Sequence, residues 1–318
     1  MAEFLDKKDK KILHQLDLNC RQPISSIAKQ VRLSKDTVKD RIRRLEDAGI
    51  IQGYYAEINA HALGYKMYRI YIKFERTTPK DEEEMVSYLK KEGAVVIISS
   101  LNGSWDFVII THHKNDYVFD KFWQEFYRNF SKFISKRLIT PIITLYAYKK
   151  SYLYEEREYT ETVMDGRTTV EIDGLDRRIL LLLSNNARLS LIELAAKLGS
   201  SPKVIAYRMN KLIKKNVILS FRAQINVAKM GYEYYKIDVS VYDANKLDEM
   251  YLFAKRNPNT IYIDKTIGIS DFEFDMEVKG FSEFTKIMDE IKAASNGNLE
   301  NYEYFSVSKF HKLSFMPR

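Results

Sequence analysis

Apolar residues recur along this chain with two alternating periods. Ile12, Leu13 and Leu16 mark one helical face, and Ile24, Ile27, Ala28 and Val31 follow at i, i+3, i+4 and i+7 on a second. The stretch LSKDTVKDRIRRLEDAGII (Leu33 to Ile51) then sets Val38, Ile42 and Leu45 at i, i+4 and i+7. Asp36, Lys39, Asp40, Arg43 and Asp47 occupy the other side of that third helix. Ser34 precedes it as an N-cap, because its hydroxyl can accept from an otherwise unpaired N–H of the first turn. The following IIQGYYAEIN is β-rich and roughly alternating. Three helices and a β-hairpin make the pattern of a winged helix-turn-helix.

From Tyr68 the period changes to two. YRIYIKF (Tyr68 to Phe74) reads as a strand, and a charged helix around Glu82 to Lys91 turns Met85 and Leu89 inward. VVIISSL and WDFVIIT are two strands around a hairpin signal, NGS. A helix follows with Phe119, Phe122, Trp123 and Phe126 on one stripe, and RLITPIITLYAY closes as a strand. The order βαββαβ predicts an antiparallel sheet with two helices on one face, the ferredoxin-like arrangement.

The whole pattern is written twice. At an offset of 167, Asp9, Ile12, Leu13 and Leu16 meet Asp176, Ile179, Leu180 and Leu183, and Arg41 and Leu45 meet Arg208 and Leu212. Later the offset becomes 165, where Gly103 and Asp106 meet Gly268 and Asp271. A match this long is a duplicated multi-element unit rather than a solenoid repeat. The fold class is therefore α+β, with winged helices at 1–60 and 172–227 and ferredoxin-like domains at 61–150 and 228–318. Residues 151–171 are expected to join the copies, part of them as a strand.

The chain of 318 residues carries net charge +8, a balance compatible with a polyanion but weak evidence on its own. No apolar run is long enough to span a bilayer, and no secretory signal is visible, so a cytoplasmic location is expected. The single cysteine, Cys20, can form no internal disulfide, and no Cys/His spacing suggests a metal site.

DKKILHQLDLNCRQPISSIAKQVRLSKDTVKDRIRRLEDAGIIQGYYAEIN, then LGY and a βαββαβ region with GSWD, resembles the Lrp/AsnC family of feast/famine transcription regulators. The resemblance covers both halves of both copies. The second copy departs at Asn216, which stands where the first has Gly49. It implies a DNA-binding regulator whose ferredoxin-like (RAM) domain pairs with a second copy and binds an amino acid or other small effector. Members are usually single-unit chains; two units are joined here.

Helix-turn-helix proteins read bases with the N-terminal half of the third helix, which alone reaches the major-groove floor. The candidates for contact with double-stranded DNA are Lys35, Asp36, Lys39 and Arg43, and in the second copy Lys203, Ala206, Tyr207, Asn210 and Lys211. Arg41 and Arg208 lie at the stripe's edge, suited to packing or phosphate contact. Asp36 and Asp40 could accept from cytosine, or pair on the helix surface with Lys39 and Arg44. The segment Ser34 to Ala48 has five Lys/Arg and four Asp/Glu, whereas Ser201 to Lys215 has five Lys/Arg and no acid. The second copy is thus expected to supply more sequence-blind phosphate attraction.

The turn residues Gly103, Trp105, Asp106, Gly268 and Asp271 fit ordinary tight turns. The family resemblance makes them candidates for the effector site, with Trp105 bulky enough to fill such a pocket. No catalytic constellation, phosphate loop or cofactor motif stands out. One enzyme reading rests on resemblance, since siroheme decarboxylases use the same two-domain unit. His61, His112 and His113 are present for it, but Ala228 and non-histidine residues replace them in the second copy. A third reading is a scaffold whose winged helices make protein contacts. One sheet face in each copy is left over, judged apolar from residues such as Tyr71 or Ile72 and Val108 or Ile109. It is expected to pair with its counterpart in the same chain, as an intramolecular pseudo-dimer open to further homo-oligomer assembly.

Overall fold

The computed structural model describes residues 5–154, 161–268 and 270–318. The first winged unit has α1 (Lys7–Leu18), α2 (Ile24–Val31), α3 (Lys35–Asp47) and β1 (Ile51–Ile58). The Ser34 hydroxyl accepts from Thr37 N at 3.1 Å, and Val38, Ile42 and Leu45 are buried, as the spacing requires. Gly49 and Asn216 both adopt a left-handed backbone, with φ of 64° and 54°. Asparagine tolerates that region, so this departure in the second copy keeps the turn.

The first ferredoxin-like unit has β2 (Lys66–Phe74), α4 (Pro79–Lys91), β3 (Val95–Gly103), β4 (Phe107–His113), α5 (Asp116–Phe130) and β5 (Ile134–Tyr148). A short β6 (Glu161–Asp165) follows, paired with the end of β5. The connector 151–171 therefore supplies a strand, although its residues 155–160 lie outside the described residues. The second copy repeats the order as α6 (Gly174–Asn185), α7 (Leu191–Leu198), α8 (Pro202–Lys214), β7 (Ile218–Ile225), β8 (Glu233–Val241), α9 (Leu247–Arg256), β9 (Thr260–Thr266), β10 (Phe272–Val278), α10 (Phe281–Ala294) and β11 (Leu299–Leu313).

The β-hairpin expected after each third helix is corrected. β1 pairs antiparallel with β7, across the copies, rather than with a strand of its own unit. Tyr55 stands opposite Arg222, its own counterpart at offset 167, so a pseudo-two-fold axis passes between them. The exchange completes both winged cores. Ala223, Met230 and Tyr232 pack with Ile12, Leu16 and Val38, while Ala56, Ile58 and Leu63 pack with Ile179, Leu180 and Leu183. Each first helix lies on the other copy's strand, α1 on β7 and α6 on β1.

The two four-stranded sheets are joined at both edges. β3 pairs with β11 and β5 pairs with β9, with Leu101 opposite Val307 and Ile142 opposite Thr266. Together with the β2–β5 pairing, this closes eight strands into a ring. The pairing is possible because β5 and β11 are each 15 residues long. The first half of each lies in its own sheet and the second half crosses to the other. Helices α4 and α5 cover one outer face, Met85, Phe122 and Phe126 packing with Ile72 and Ile109, and α9 and α10 cover the other, Met250 and Ile287 packing with Ile263 and Phe274.

Between the sheets the expected apolar face is also corrected. Tyr71, Leu101, Val108 and Phe305 form only a small apolar cluster there. The rest is ionic. Arg69 donates to both Asp264 and Glu273, and Lys236 reaches Asp264 at 2.8 Å, Glu273 at 3.0 Å and Asp275 at 3.2 Å. All five are buried. Arg69 belongs to the first copy and the rest to the second, so the network bridges them. A second buried cluster lies beneath the winged units. Arg222 donates to Asp17 at 2.9 Å and to Tyr148 O at 3.0 Å, and pairs with Glu57 at 3.5 Å. Lys150 joins it to β10 through Glu277 at 2.5 Å.

Carboxylates outnumber cations in the sheet interior. Burial pushes the Asp238 carboxyl up to about 7, against the pull of Lys236, and raises Asp275 as well. Lys236 and Arg69 instead hold Glu273 well below the usual range, against its own burial. With Asp238 raised, the fold retains a proton that the unfolded chain has released. Its stabilisation is full below the reference value of 3.8 and is lost as pH rises towards about 7. Asp238→Asn cannot ionise, so it should gain stability relative to the parent between about pH 4 and pH 8. Thermal midpoints of both proteins across that range test this, and a constant difference between them would refute it.

Both tryptophans, Trp105 and Trp123, lie in the first copy. Leu180→Ala, in the second copy, should cost about 2–5 kcal/mol because its side chain is wholly buried. Since α6 is packed on β1, tryptophan fluorescence and circular dichroism should report the same lowered urea midpoint. A fluorescence midpoint left at the parent value would show that the copies unfold independently.

Candidate nucleic-acid interface

The third helices are anchored in the same way in both copies. Arg41 donates to Asp6 at 2.7 Å and to Asp9 at 2.9 Å, at the N-terminus of α1. Arg208 repeats this with Asp173 and Asp176, at the start of α6. These arginines lock each recognition helix to the first helix of its own unit. Arg44 also donates to Asp9, at 2.6 Å, and not to Asp40 as the helical spacing suggested. Asp9 is buried, so it attracts both arginines more strongly than an exposed carboxylate would. Asp36 does pair with Lys39, at 3.3 Å.

With the arginines committed, the outward face of α3 is formed by Lys35, Asp36, Lys39, Asp40 and Arg43, all exposed. Among the described residues, Lys35 and Arg43 make no ion pair. On α8, Lys203, Tyr207, Asn210 and Lys211 are exposed and Ala206 is half-buried. Tyr207 is 67% exposed. Lys214 and Lys215 extend the basic surface to the end of the helix, and Val204 adds an exposed apolar side chain beside Lys203. Sequence reasoning passed over Val204. Its place one turn before Arg208, off the buried stripe of Ile205, Met209 and Leu212, was the available signal. Lys229 of the second copy donates to Ala48 O at 2.7 Å, tying down the end of α3. The β1–β7 pseudo-axis relates the two winged units, and with them α3 and α8, as a two-fold pair.

The turn residues have structural work at the two sheet joints. A Cβ on Gly103 would meet Tyr304 O and the Phe305 side chain at 3.1 Å, and one on Gly268 would meet Thr140 Cγ2 at 2.9 Å. Asp106 accepts from Phe74 N at 2.8 Å and from Lys73 at 2.7 Å, and Asp271 accepts from Val241 N at 2.9 Å. Trp105 stacks on Tyr71, with ring centroids 5.6 Å apart. Asp271 alone of these five lines a cleft of about 610 Å³, with Tyr146, Leu247, Asp248, Tyr251 and Lys265 among the other walls.

His112 and His113 point to opposite sides of β4, as strand alternation requires. His113 lies among Phe119, Phe122 and Tyr68, and His112 lies beside Tyr65. Burial pushes His112 down to about 3 and His113 to about 4, which keeps both neutral near pH 7. Among the described residues, no group of three or more His, Cys, Asp or Glu side chains is placed to hold a metal ion. None of the described helices is long and apolar enough to cross a membrane.

The family model described as winged helix-turn-helix DNA-binding matches residues 5–52 and 172–218, one unit in each copy. The HTH-type transcriptional regulator Ptr1 of Methanocaldococcus jannaschii is 35% identical over 125 residues, 38% of this chain and 81% of that protein. The chain belongs to the Lrp/AsnC family of transcription regulators. A second relative is the HTH-type transcriptional regulator LrpA of Pyrococcus horikoshii. It is 37% identical over 88 residues, 28% of this chain and 61% of that protein. These relatives match a single copy's length, so the tandem is what sets this family member apart from them. The solved siroheme decarboxylase NirDL covers 98% of this chain and 94% of its own, at TM-score 0.63 and 13% identity. That likeness extends the two-copy fold to a second protein and is one of fold alone.

The two sets of basic residues should separate cleanly in this family member. Arg41→Met leaves buried Asp9 with a single arginine and should lower stability by about 1–3 kcal/mol. Lys39→Ala with Arg43→Ala, both exposed, should stay within about 1 kcal/mol of the parent. Urea unfolding checks both, and an equal loss in the two variants would mean that the outward face is structural.

Proposed function

We propose that the chain is a sequence-specific transcription regulator that grips double-stranded DNA with α3 and α8 as an unequal pair. The observation that carries this reading is the outward basic surface at both recognition helices, once Arg41, Arg44 and Arg208 are taken up by α1 and α6 and with Lys39 held, among the described residues, only by its exposed neighbour Asp36. The first helix mixes lysine, arginine and aspartate, and suits discrimination between bases. The second carries lysines without acids, and suits phosphate attraction, with Val204 and Tyr207 available to thymine methyl groups. Because the copies differ, the preferred site is an imperfect palindrome.

Lys203→Ala with Lys211→Ala should weaken binding to specific and random DNA by similar factors. The slope of log affinity against log salt should fall by about 1.8 for two lost phosphate contacts. Lys39→Ala with Arg43→Ala should lower affinity and flatten the salt dependence as well. Fluorescence anisotropy against footprinted genomic fragments and random duplex measures all of this. Unchanged binding in folded variants would count against the DNA reading and favour a scaffold. A fall on specific DNA alone for the lysine pair would reverse the roles of the two modules.

The cleft at Asp271 supports binding of an amino acid or another small effector in the second copy. In the first copy, Trp105 stands at the place of the cleft-lining Ser270 and packs on Tyr71. Equilibrium dialysis with amino acids, repeated on Asp271→Ala, tests that extension.

The whole-chain likeness to NirDL keeps a tetrapyrrole enzyme as a second reading. Against it, Ala228 and Glu277 occupy the second-copy places of His61 and His112, and the sheet interior holds Asp264, Glu273, Asp275 and Asp238. Arg69 and Lys236 are already paired with these acids, so neither cation is left for a carboxylate of the tetrapyrrole. Addition of iron-uroporphyrin should leave its Soret band unshifted. A shifted band together with decarboxylation would replace the regulator reading.

A further inference from the structure

The ionic residues between the sheets are not shared equally by the two copies. Arg69 and Lys236 are equivalent positions at offset 167, and both bond Asp264. Every carboxylate in the cluster belongs to the second copy. Asp238, Asp264, Glu273 and Asp275 stand where the first copy has Tyr71, Ser99, Val108 and Ile110. The winged units diverge in the same sense. Arg222, held by Asp17 and Glu57, is the counterpart of Tyr55, which stacks on Phe315 with ring centroids 3.4 Å apart. The counterparts of Asp17 and Glu57 are Ser184 and Gln224, which carry no charge.

Only one combination of faces comes near to balance, with two cations among four carboxylates. Two first-copy sheet faces would bury two arginines with no carboxylate between them. Two second-copy faces would bury two lysines among eight carboxylates. Neither could be tolerated among side chains this buried, where an unpaired charge is strongly disfavoured. The cross-copy pair gives each cation at least two carboxylates.

We infer that these faces form an electrostatic key, by which the first copy accepts an acidic partner face. It therefore pairs with the second copy and rejects another first copy or any single-unit relative whose face lacks the acids. Duplication would thus have fixed one orientation, with α3 and α8 always presented together on one pseudo-dimer.

The test uses the full chain with Cys20→Ser, Asn102→Cys and Ser306→Cys, which places the new cysteines opposite each other across the β3–β11 joint. At high dilution this parent should oxidise to an intramolecular disulfide. Adding Asp238→Tyr, Asp264→Ser, Glu273→Val and Asp275→Ile gives the second face the residues of the first at all four acidic positions. The rate of disulfide formation should then fall by more than about tenfold. Adding Arg69→Met and Lys236→Met to that variant removes the stranded cations and should restore the rate. An undiminished rate in the first variant, or no recovery in the second, would overturn the key. In a separate full chain, Cys20→Ser, Asn102→Cys and Pro141→Cys mark the edges that two first copies would bring together. Disulfide-linked dimers of that chain would also overturn it, and monomers throughout would support it.

Discussion

The buried cluster formed by Arg69, Lys236, Asp264, Glu273 and Asp275 is the constraint on which the rest of the architecture depends. Charges this buried are tolerated only when opposite charges meet them, and here the partners come from different copies. A sheet bearing Arg69 cannot remain buried without the acids of the other sheet. The long strands β5 and β11 then close the ring around the cluster. Gly103 and Gly268 let the strands approach closely at the two joints, where a Cβ would press on the opposing strand.

The winged units follow from the same interdependence. Neither three-helix core is complete within its own copy, because β1 lies against α6 and β7 against α1. The recognition helices thus inherit their relative placement from strand pairing and from the Arg222–Asp17–Glu57 cluster, not from a flexible tether. Within each unit the Arg41 and Arg208 clamps fix helix orientation and leave the remaining basic residues for the surface. On the proposed reading, this two-fold pair of helices with unequal chemistry would meet an operator whose halves are similar but not identical.

Much of this was legible in the residues. Helical spacing gave α3 its buried stripe at Val38, Ile42 and Leu45, and Ser34 its cap, because both depend on neighbours within one turn. The offset of 167 exposed the duplication, and the βαββαβ order set the sheet, since period and order are local properties of the chain. The outward positions of Lys35, Lys39, Arg43, Lys203 and Lys211 followed from the same spacing. The strand partner of β1, the attachment of Arg44 to Asp9 rather than Asp40, and the ionic interior were not legible. Alternation along YRIYIKF shows that Arg69 and Tyr71 share a face, but whether Arg69 meets water or a carboxylate depends on a residue 195 positions away. Tertiary structure decided these points because hydrogen bonding in a sheet and neutralisation of a buried charge both require partners that only the closed chain brings within reach.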